Sequence, residues 1–425
     1  MIKIAILLSF LLLGILSQAQ SDQYSTLYKL EGNNTSTTSF GSAVDISFNK
    51  AVVGAYLDDK DQNVLYIFHK ENNLWKQAAE LPLENSGFFN ESSISAAINN
   101  SVAVVGLPHN NTDGKVAKGI VYVFEEKNSW QQVARLIPDD GQAEDLFGNS
   151  VAISGNTIIV GAKHSKTNNG VTKGAAYIFT KQGDSWQQTA KLQVSSGKAF
   201  DSFGNAVAID NNVAIVAAKD SDVGGESARG SVYVYKRQGN SWNLTTTLIA
   251  PNGKSGDEFG SSVALNGENI VVGAESYNYG NQVSQGAVYV FKEQSSGRGT
   301  SNWKQAAKLI AQDGEGGDHF GSSVDINGNR IVVGAYLDDV DSDGYFQGST
   351  YLFEESQGVW EQFAKLTAED GTRGDNFGNS VAISDETIIV GAHSADVNGK
   401  VDQGMAYTFT APLLQFAKAK GTQPF

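Results

Sequence analysis

The sequence predicts an all-β fold: a seven-bladed β-propeller of four-stranded antiparallel blades. Three observations predict it. One unit recurs seven times, each unit carries four short strand signals, and the last unit lacks a strand that the N-terminal end can supply. A lone four-stranded blade has two apolar faces. Stacking blades in a ring buries each face on a neighbour.

The unit is legible by eye. FGNSVAISGNTIIVGA starts at Phe147, FGSSVALNGENIVVGA at Phe259 and FGSSVDINGNRIVVGA at Phe320, with looser copies from Phe40, Phe203 and Phe377. The Gly of VGA follows the Phe by fourteen residues, as from Phe147 to Gly161; Ala217 takes its place in the copy from Phe203. Sixteen residues beyond stands a Tyr (Tyr122, Tyr177, Tyr233, Tyr289, Tyr407), with Tyr351 at seventeen and Tyr66 at twelve. All six Trp come next, each followed at six residues by Leu, as from Trp303 to Leu309. One copy is degenerate: Ser92-Ser93 occupies the Phe-Gly place, with Phe88 and Phe89 nearby.

Each strand has its own signature. SVAIS alternates, TIIVGA is a continuous apolar run suited to a strand covered on both faces, and AAYIF and WQQTAKL follow. Gly155-Asn156, Asn211-Asn212, Gly267-Glu268 and Gly328-Asn329 supply the tight turns between the first two strands. The last unit stops after its third strand. Residues 24–30, with Tyr24 where other units place Trp and then Leu30, are predicted to close the ring as its outer strand.

Composition narrows function. Acidic residues outnumber basic ones 46 to 31, a net charge of −15, which disfavours nucleic acid and anionic membranes as partners. Zero cysteine excludes disulfides, thiolate metal sites and cysteine nucleophiles. Lys3, the apolar run at residues 4–16 and Ser17-Gln18-Ala19 have the form of a secretory signal peptide cut after Ala19. The expected organisation is a signal peptide at 1–19, a propeller at 20–410 and a tail at 411–425. The expected product is exported, without membrane insertion, to the exterior, the periplasm or the cell surface.

The strings FG, VGA and GxxYxF at this spacing resemble the FG-GAP repeat, the unit of the integrin α-subunit N-terminal propeller, over about residues 24–410. The resemblance implies a seven-bladed propeller and extracellular adhesion or protein binding. The sequence departs from the family in one respect. The family often has a DxDxDGxxD calcium loop between the first and second strands of a blade; here that connection is a tight turn, as at residues 153–157. The family's calcium sites therefore do not carry over.

Candidate chemistry sits in the longer connections, which lead from second to third strand and from fourth strand to the next blade. Both kinds open on one face of the disc, the expected working face. Asp339, Asp341 and Asp343 alternate before Gly344, with Gln347 at position nine and Thr350 where a calcium loop has Glu. This spacing suits a weak calcium site, and Asp58, Asp59 and Asp61 echo it. Arg373-Gly374-Asp375 spells the adhesion tripeptide, but an Asp precedes the Phe by two at Asp145, Asp201, Asp257, Asp318 and Asp375 as well. That Asp is expected to accept backbone N–H bonds in the entering loop. The five His show no metal spacing, and no phosphate loop or nucleophile elbow occurs. Tyr277, Tyr279, Tyr336, Asp338, Asp339 and Tyr345 form the expected contact patch.

The expected function is a non-enzymatic module binding a protein or a surface polymer. The alternatives are a lectin-like propeller that binds glycans and an enzyme with a site at the central channel.

Overall fold

The computed structural model describes residues 26–34, 36–84, 94–167, 169–296, 300–340 and 346–410. The predicted signal peptide, Tyr24, Phe88, Phe89, Ser92-Ser93, Asp341, Asp343, Tyr345 and the tail after residue 410 lie outside the described residues.

Seven four-stranded antiparallel sheets succeed one another along the chain. The third blade shows the pattern: Phe147–Ser154, Thr157–Ala162, Ala175–Gln182 and Ser185–Leu192, in that spatial order. Every residue of Thr157–Ala162 is buried, as its unbroken apolar run predicts. The closing strand is where the sequence places it. Thr26–Leu30 pairs antiparallel with Met405–Thr410 as the outer strand of the last blade, with Lys29 opposite Tyr407 and Leu30 opposite Ala406.

An outer strand has a free edge that invites pairing with another chain. All seven pairings of third and outer strand carry an irregularity, such as the one between Ile178 and Phe179. A bulge of this kind twists the edge and spoils it as a template.

The core lies between blades. Seven apolar clusters among the described residues each span one seam of the ring. Phe147 packs edge-on to Tyr177 at 5.6 Å and to Phe179 at 6.0 Å, while Val104 and Val121 of the second blade close over them. The repeated Tyr and Trp therefore serve inter-blade packing. Large aromatic rings contribute most apolar area per residue, so the spaced repeat is also the repeat of the core.

The Gly of VGA has a steric cause. A Cβ on Gly161 would stand 2.0 Å from the carbonyl oxygen of Gly204 in the next blade. Gly273, Gly334 and Gly391 meet the next blade's FG glycine at the same 2.0 Å. The two glycines of the repeat face each other across the seam and set how closely blades stack. Ala217 takes this place in the fourth blade and is fully buried; there its Cβ lies 3.0 Å from the position a Cβ would take on Gly260.

Candidate functional site

Each blade presents one residue directly after the VGA place, and in the third, fourth, fifth and seventh blades it is held by the same device. The Asn or Ser two residues after the FG phenylalanine accepts that residue's backbone N–H. Asn149 holds Lys163 at 2.9 Å, Asn205 holds Lys219 at 3.0 Å, Ser261 holds Glu275 at 3.2 Å and Asn379 holds His393 at 3.3 Å. Asn149 also donates to the carbonyls of Gly204 and Asn205, tying this anchor to the next blade. The side chain at this place varies round the ring among five residue types: Tyr56, Pro108, Lys163, Lys219, Glu275, Tyr336 and His393 occupy the seven places.

Neighbours among these side chains interact across seams. Lys219 pairs with Glu258 at 2.7 Å and with Glu275 at 3.5 Å. Burial alone would lower the Lys219 pKa, but the two carboxylates outweigh it and hold it above its ordinary value. Burial raises Glu275, with Lys219 opposing. Burial lowers Lys163, and the Lys219 charge adds to this. Tyr336 tilts against His319 at 5.8 Å, and burial together with the Glu275 charge raises its pKa. Burial also lowers His164 and His393. The result is a half-buried band of mixed charge and aromatic rings on the long-loop face.

In the second, fourth, fifth and seventh blades the second-to-third connection is the same hairpin. Thr112 bridges Lys115, Val223 bridges Glu226, Tyr279 bridges Gln282 and Val397 bridges Lys400. Inside each, an Asn or Asp side chain accepts an N–H six residues on: Asn111 from Ala117, Asp222 from Ala228, Asn278 from Ser284 and Asp396 from Asp402. The Asp before FG does what the sequence suggests. Asp145, Asp201, Asp257, Asp318 and Asp375 are buried, and each accepts the N–H three residues earlier at 2.6–2.8 Å. Asp375, the acid of the adhesion tripeptide, thus spends its carboxylate inside its own loop.

The expected contact patch is only partly on the surface. Tyr279 is 52% exposed. Tyr277 instead packs against the seam between the fourth and fifth blades, with the Lys308 ammonium 3.4 Å from its ring centre. Asp338 is buried, accepting hydrogen bonds from Ser349 and Tyr351 and pairing with Lys365 at 2.7 Å. All three of these partners belong to the sixth blade. Tyr336 belongs to the band described above, and Tyr345 lies outside the described residues.

Of the acidic loop, Asp339 and Gln347 are described, and the Gln347 side chain accepts the Val340 N–H at 3.1 Å. In the first blade Asp58 accepts from Thr38 at 3.1 Å and Asp61 accepts from Tyr56, so these carboxylates point to different partners. Asp59 stands in the same 3₁₀ turn, Asp58–Lys60. Among the described residues no group of three or more His, Asp or Glu is placed to hold a metal ion.

The inner strands of all seven blades enclose a central cavity of about 240 Å³. Its lining is Val, Ala, Ile and Leu apart from Asp45 and Asp325.

Repeats of this kind are matched by the FG-GAP repeat family model at residues 130–179, 186–235, 242–291, 303–353 and 360–409. The chain belongs to the FG-GAP repeat family. The FG-GAP chain matches no curated protein. Its fold is similar to a structure from work on two prolyl endopeptidases, at 11% identity over 89% of this chain and 47% of that one, with a TM-score of 0.49. The FG-GAP chain thus spans about half the length of that structure. It is also similar to a structure of a Lactobacillus plantarum protein, at 10% identity over 78% of this chain and 86% of that one, with a TM-score of 0.45.

Sequence reading missed Lys163, Lys219, Glu258, Glu275 and His319 as a group. For Lys163, Lys219 and Glu275 the signal was present: inside a repeat that keeps FG and VGA, the residue after VGA varies among Tyr, Pro, Lys, Glu and His.

Proposed function

We propose that the protein is an exported, non-enzymatic module that holds a protein or surface polymer on its long-loop face. One observation carries the reading: seven equivalent backbone positions, four of them anchored by the same hydrogen bond, present five kinds of side chain, from Tyr56 round to His393. A rigid frame with varied side chains is what recognition needs, because the contact surface costs little entropy to hold still. The half-buried charges around Lys219 supply orientation, and Tyr336 and Tyr279 supply rigid apolar area. Weak calcium binding at Asp339, Asp341 and Asp343 belongs to the same reading, with Gln347 drawing the loop's ends together. The signal-like segment at residues 1–19 supports export.

The test is capture of a partner from envelope and extracellular material, followed by binding to a Lys219→Ala/Glu275→Ala/Tyr336→Ala variant. A partner that binds parent and variant equally would remove the contact from this band. Loss of binding through changes confined to Asn156 and Asn329 would move it to the opposite face.

A further inference from the structure

Six of the seven blades join their second and third strands by connections of twelve or thirteen residues, whereas the first blade uses only the four residues between Leu57 and Gln62. Part of this difference is that the first blade's strands run further; between equivalent residues its connection is four or five residues shorter, Tyr66 following Gly54 by twelve where the other blades take sixteen or seventeen, and the shortfall lies beside the last blade. A cleft of about 800 Å³ lies there, lined by Thr38, Ser39, Tyr56, Asp58, Asp61, Val401 and Asp402. A second recess of about 560 Å³ shares Thr38, Asp58 and Val401 with it and is lined by Asp59 and Lys400 as well. Val401, 71% exposed, offers an apolar contact at the rim.

We propose that this cleft, at the seam between the last and first blades, seats an extended basic segment of a partner protein. The proposal rests on the long-loop-face reading and gives it a partner class. Charge selects the occupant. Three carboxylates and no Lys or Arg line the larger cleft. In the sequence, the connections of the sixth, seventh and first blades at 31–39, 58–61, 336–348, 367–376 and 393–404 hold thirteen acidic residues against three basic ones; Lys365 and Lys29 on adjoining strands offset Asp338 and Asp370, and Asp58, Asp61 and Asp402 are the acids at the cleft itself. A field of one sign draws an opposite charge and speeds its encounter. The carboxylates are spread out, since Asp58 turns to Thr38 and Asp61 to Tyr56, and no set of them is placed around a metal ion. Spread acceptors suit several guanidinium or ammonium groups along a chain better than one compact cation. The volume suits a strand carrying such side chains, and Val401 suits its aliphatic stems.

The probe is a fluorescein-labelled octapeptide alternating Arg and Thr, with a Glu–Thr octapeptide as its counterpart, measured by anisotropy against the whole chain. The Arg peptide should bind and the Glu peptide should not, and binding should weaken as salt rises from about 50 to 300 mM. Asp58→Asn/Asp61→Asn/Asp402→Asn should weaken binding by about tenfold or more while keeping the acceptor oxygens that Thr38 and Tyr56 use. Asp402→Asn alone, at an exposed position, should weaken it by less and keeps the test sound should the triple variant misfold. Asp184→Asn/Glu268→Gln/Asp385→Asn removes the same charge from exposed tight turns on the other face and should leave binding within about twofold of the parent. No binding of the Arg peptide by the parent, or equal losses in the two triple variants, would overturn the cleft as the site. A captured natural partner that is lost with Lys219→Ala/Glu275→Ala/Tyr336→Ala, yet holds to the cleft variant, would overturn the cleft and leave the contact face standing.

Discussion

The Asp45 carboxylate of the first blade accepts the Ile98 N–H of the second at 2.6 Å, across the blade boundary and inside the central channel. Asp325 makes the same clasp from sixth to seventh blade, accepting Ile383 N–H at 2.8 Å. The other five blades have Ala at this place: Ala97, Ala152, Ala208, Ala264 and Ala382. Burial, with Asp325 nearby, pushes Asp45 up to about 7 from its ordinary 3.8, and burial pushes Asp325 up to about 6. Carboxyls raised on folding take up protons in the native state first. Between about pH 4 and pH 7 the folded chain holds more protons than the unfolded one, so these two groups cost stability as pH rises through that window. Asp45→Ala/Asp325→Ala should flatten the dependence and raise stability at pH 8 by roughly 1–2 kcal/mol, a few degrees in melting temperature. Melting curves at pH 5, 6.5 and 8 check it. A variant less stable than the parent at pH 8 would mean that the N–H bonds outweigh the charge penalty.

Ring closure depends on one short strand. Leu30 is 2% exposed in the cluster spanning the last and first blades, and Lys29 pairs with Asp370 at 2.6 Å. Leu30→Ala should cost about 2–5 kcal/mol through lost burial and the cavity left behind. Lys29→Ala should cost under about 1 kcal/mol, because the pair is exposed. Deleting residues 24–30 should prevent cooperative folding. Thermal melts and chemical denaturation of the three variants check the order, and a deletion variant that melts with the parent would refute the closure.

Blade number, strand order and closing strand were legible in the sequence because they follow from local pattern: fixed spacing, β-branched runs and a missing strand at one end. Asp257 and its equivalents were legible for the same reason, since the bond to Lys254 N is local. What stayed hidden is set between blades. Lys219 meets Glu275, fifty-six positions on, only after the ring has formed. Tyr277 carries the same residue type as Tyr279 two places away, yet one rotates into a seam under Lys308 and the other outward. Asp338 and Asp339 are adjacent acids, and only the register of the strand that follows places Asp338 beside Ser349 and Tyr351.

That difference between the two tyrosines gives a separable pair of variants. Tyr279→Ala should leave the melting temperature within about a degree, as expected of an exposed side chain outside the core. Tyr277→Ala should cost about 1–3 kcal/mol, from lost packing and from the Lys308 contact with its ring. On a captured partner the order should reverse, with Tyr279→Ala weakening binding by about 1 kcal/mol or more. Melting curves and a binding titration on the same two proteins check both halves. Equal melting losses would mean that Tyr279 also packs.

Calcium at the acidic loop is a measurable proposal. Asp339, Asp341 and Asp343 offer alternating carboxylates, but Thr350 replaces the Glu that would complete a calcium loop, so affinity should be on the order of 10⁻⁴ M. The Gln347 amide oxygen already accepts the Val340 N–H, so it is not a free extra ligand, and this too favours weak binding. By mass action, about 5 mM calcium at that affinity should add roughly 2 kcal/mol and raise the melting temperature by a few degrees. Asp341→Asn/Asp343→Ala should remove most of the rise, while Asp58→Asn/Asp61→Asn should retain it, since those carboxylates are turned to Thr38 and Tyr56. Magnesium at the same concentration should shift the melt less, because it demands six ligands at short, regular distances. Scanning calorimetry with calcium, magnesium and chelator decides the matter: a calcium shift unchanged in the Asp341/Asp343 variant would place the ion elsewhere, and no shift in the parent would leave the loop a solvated turn.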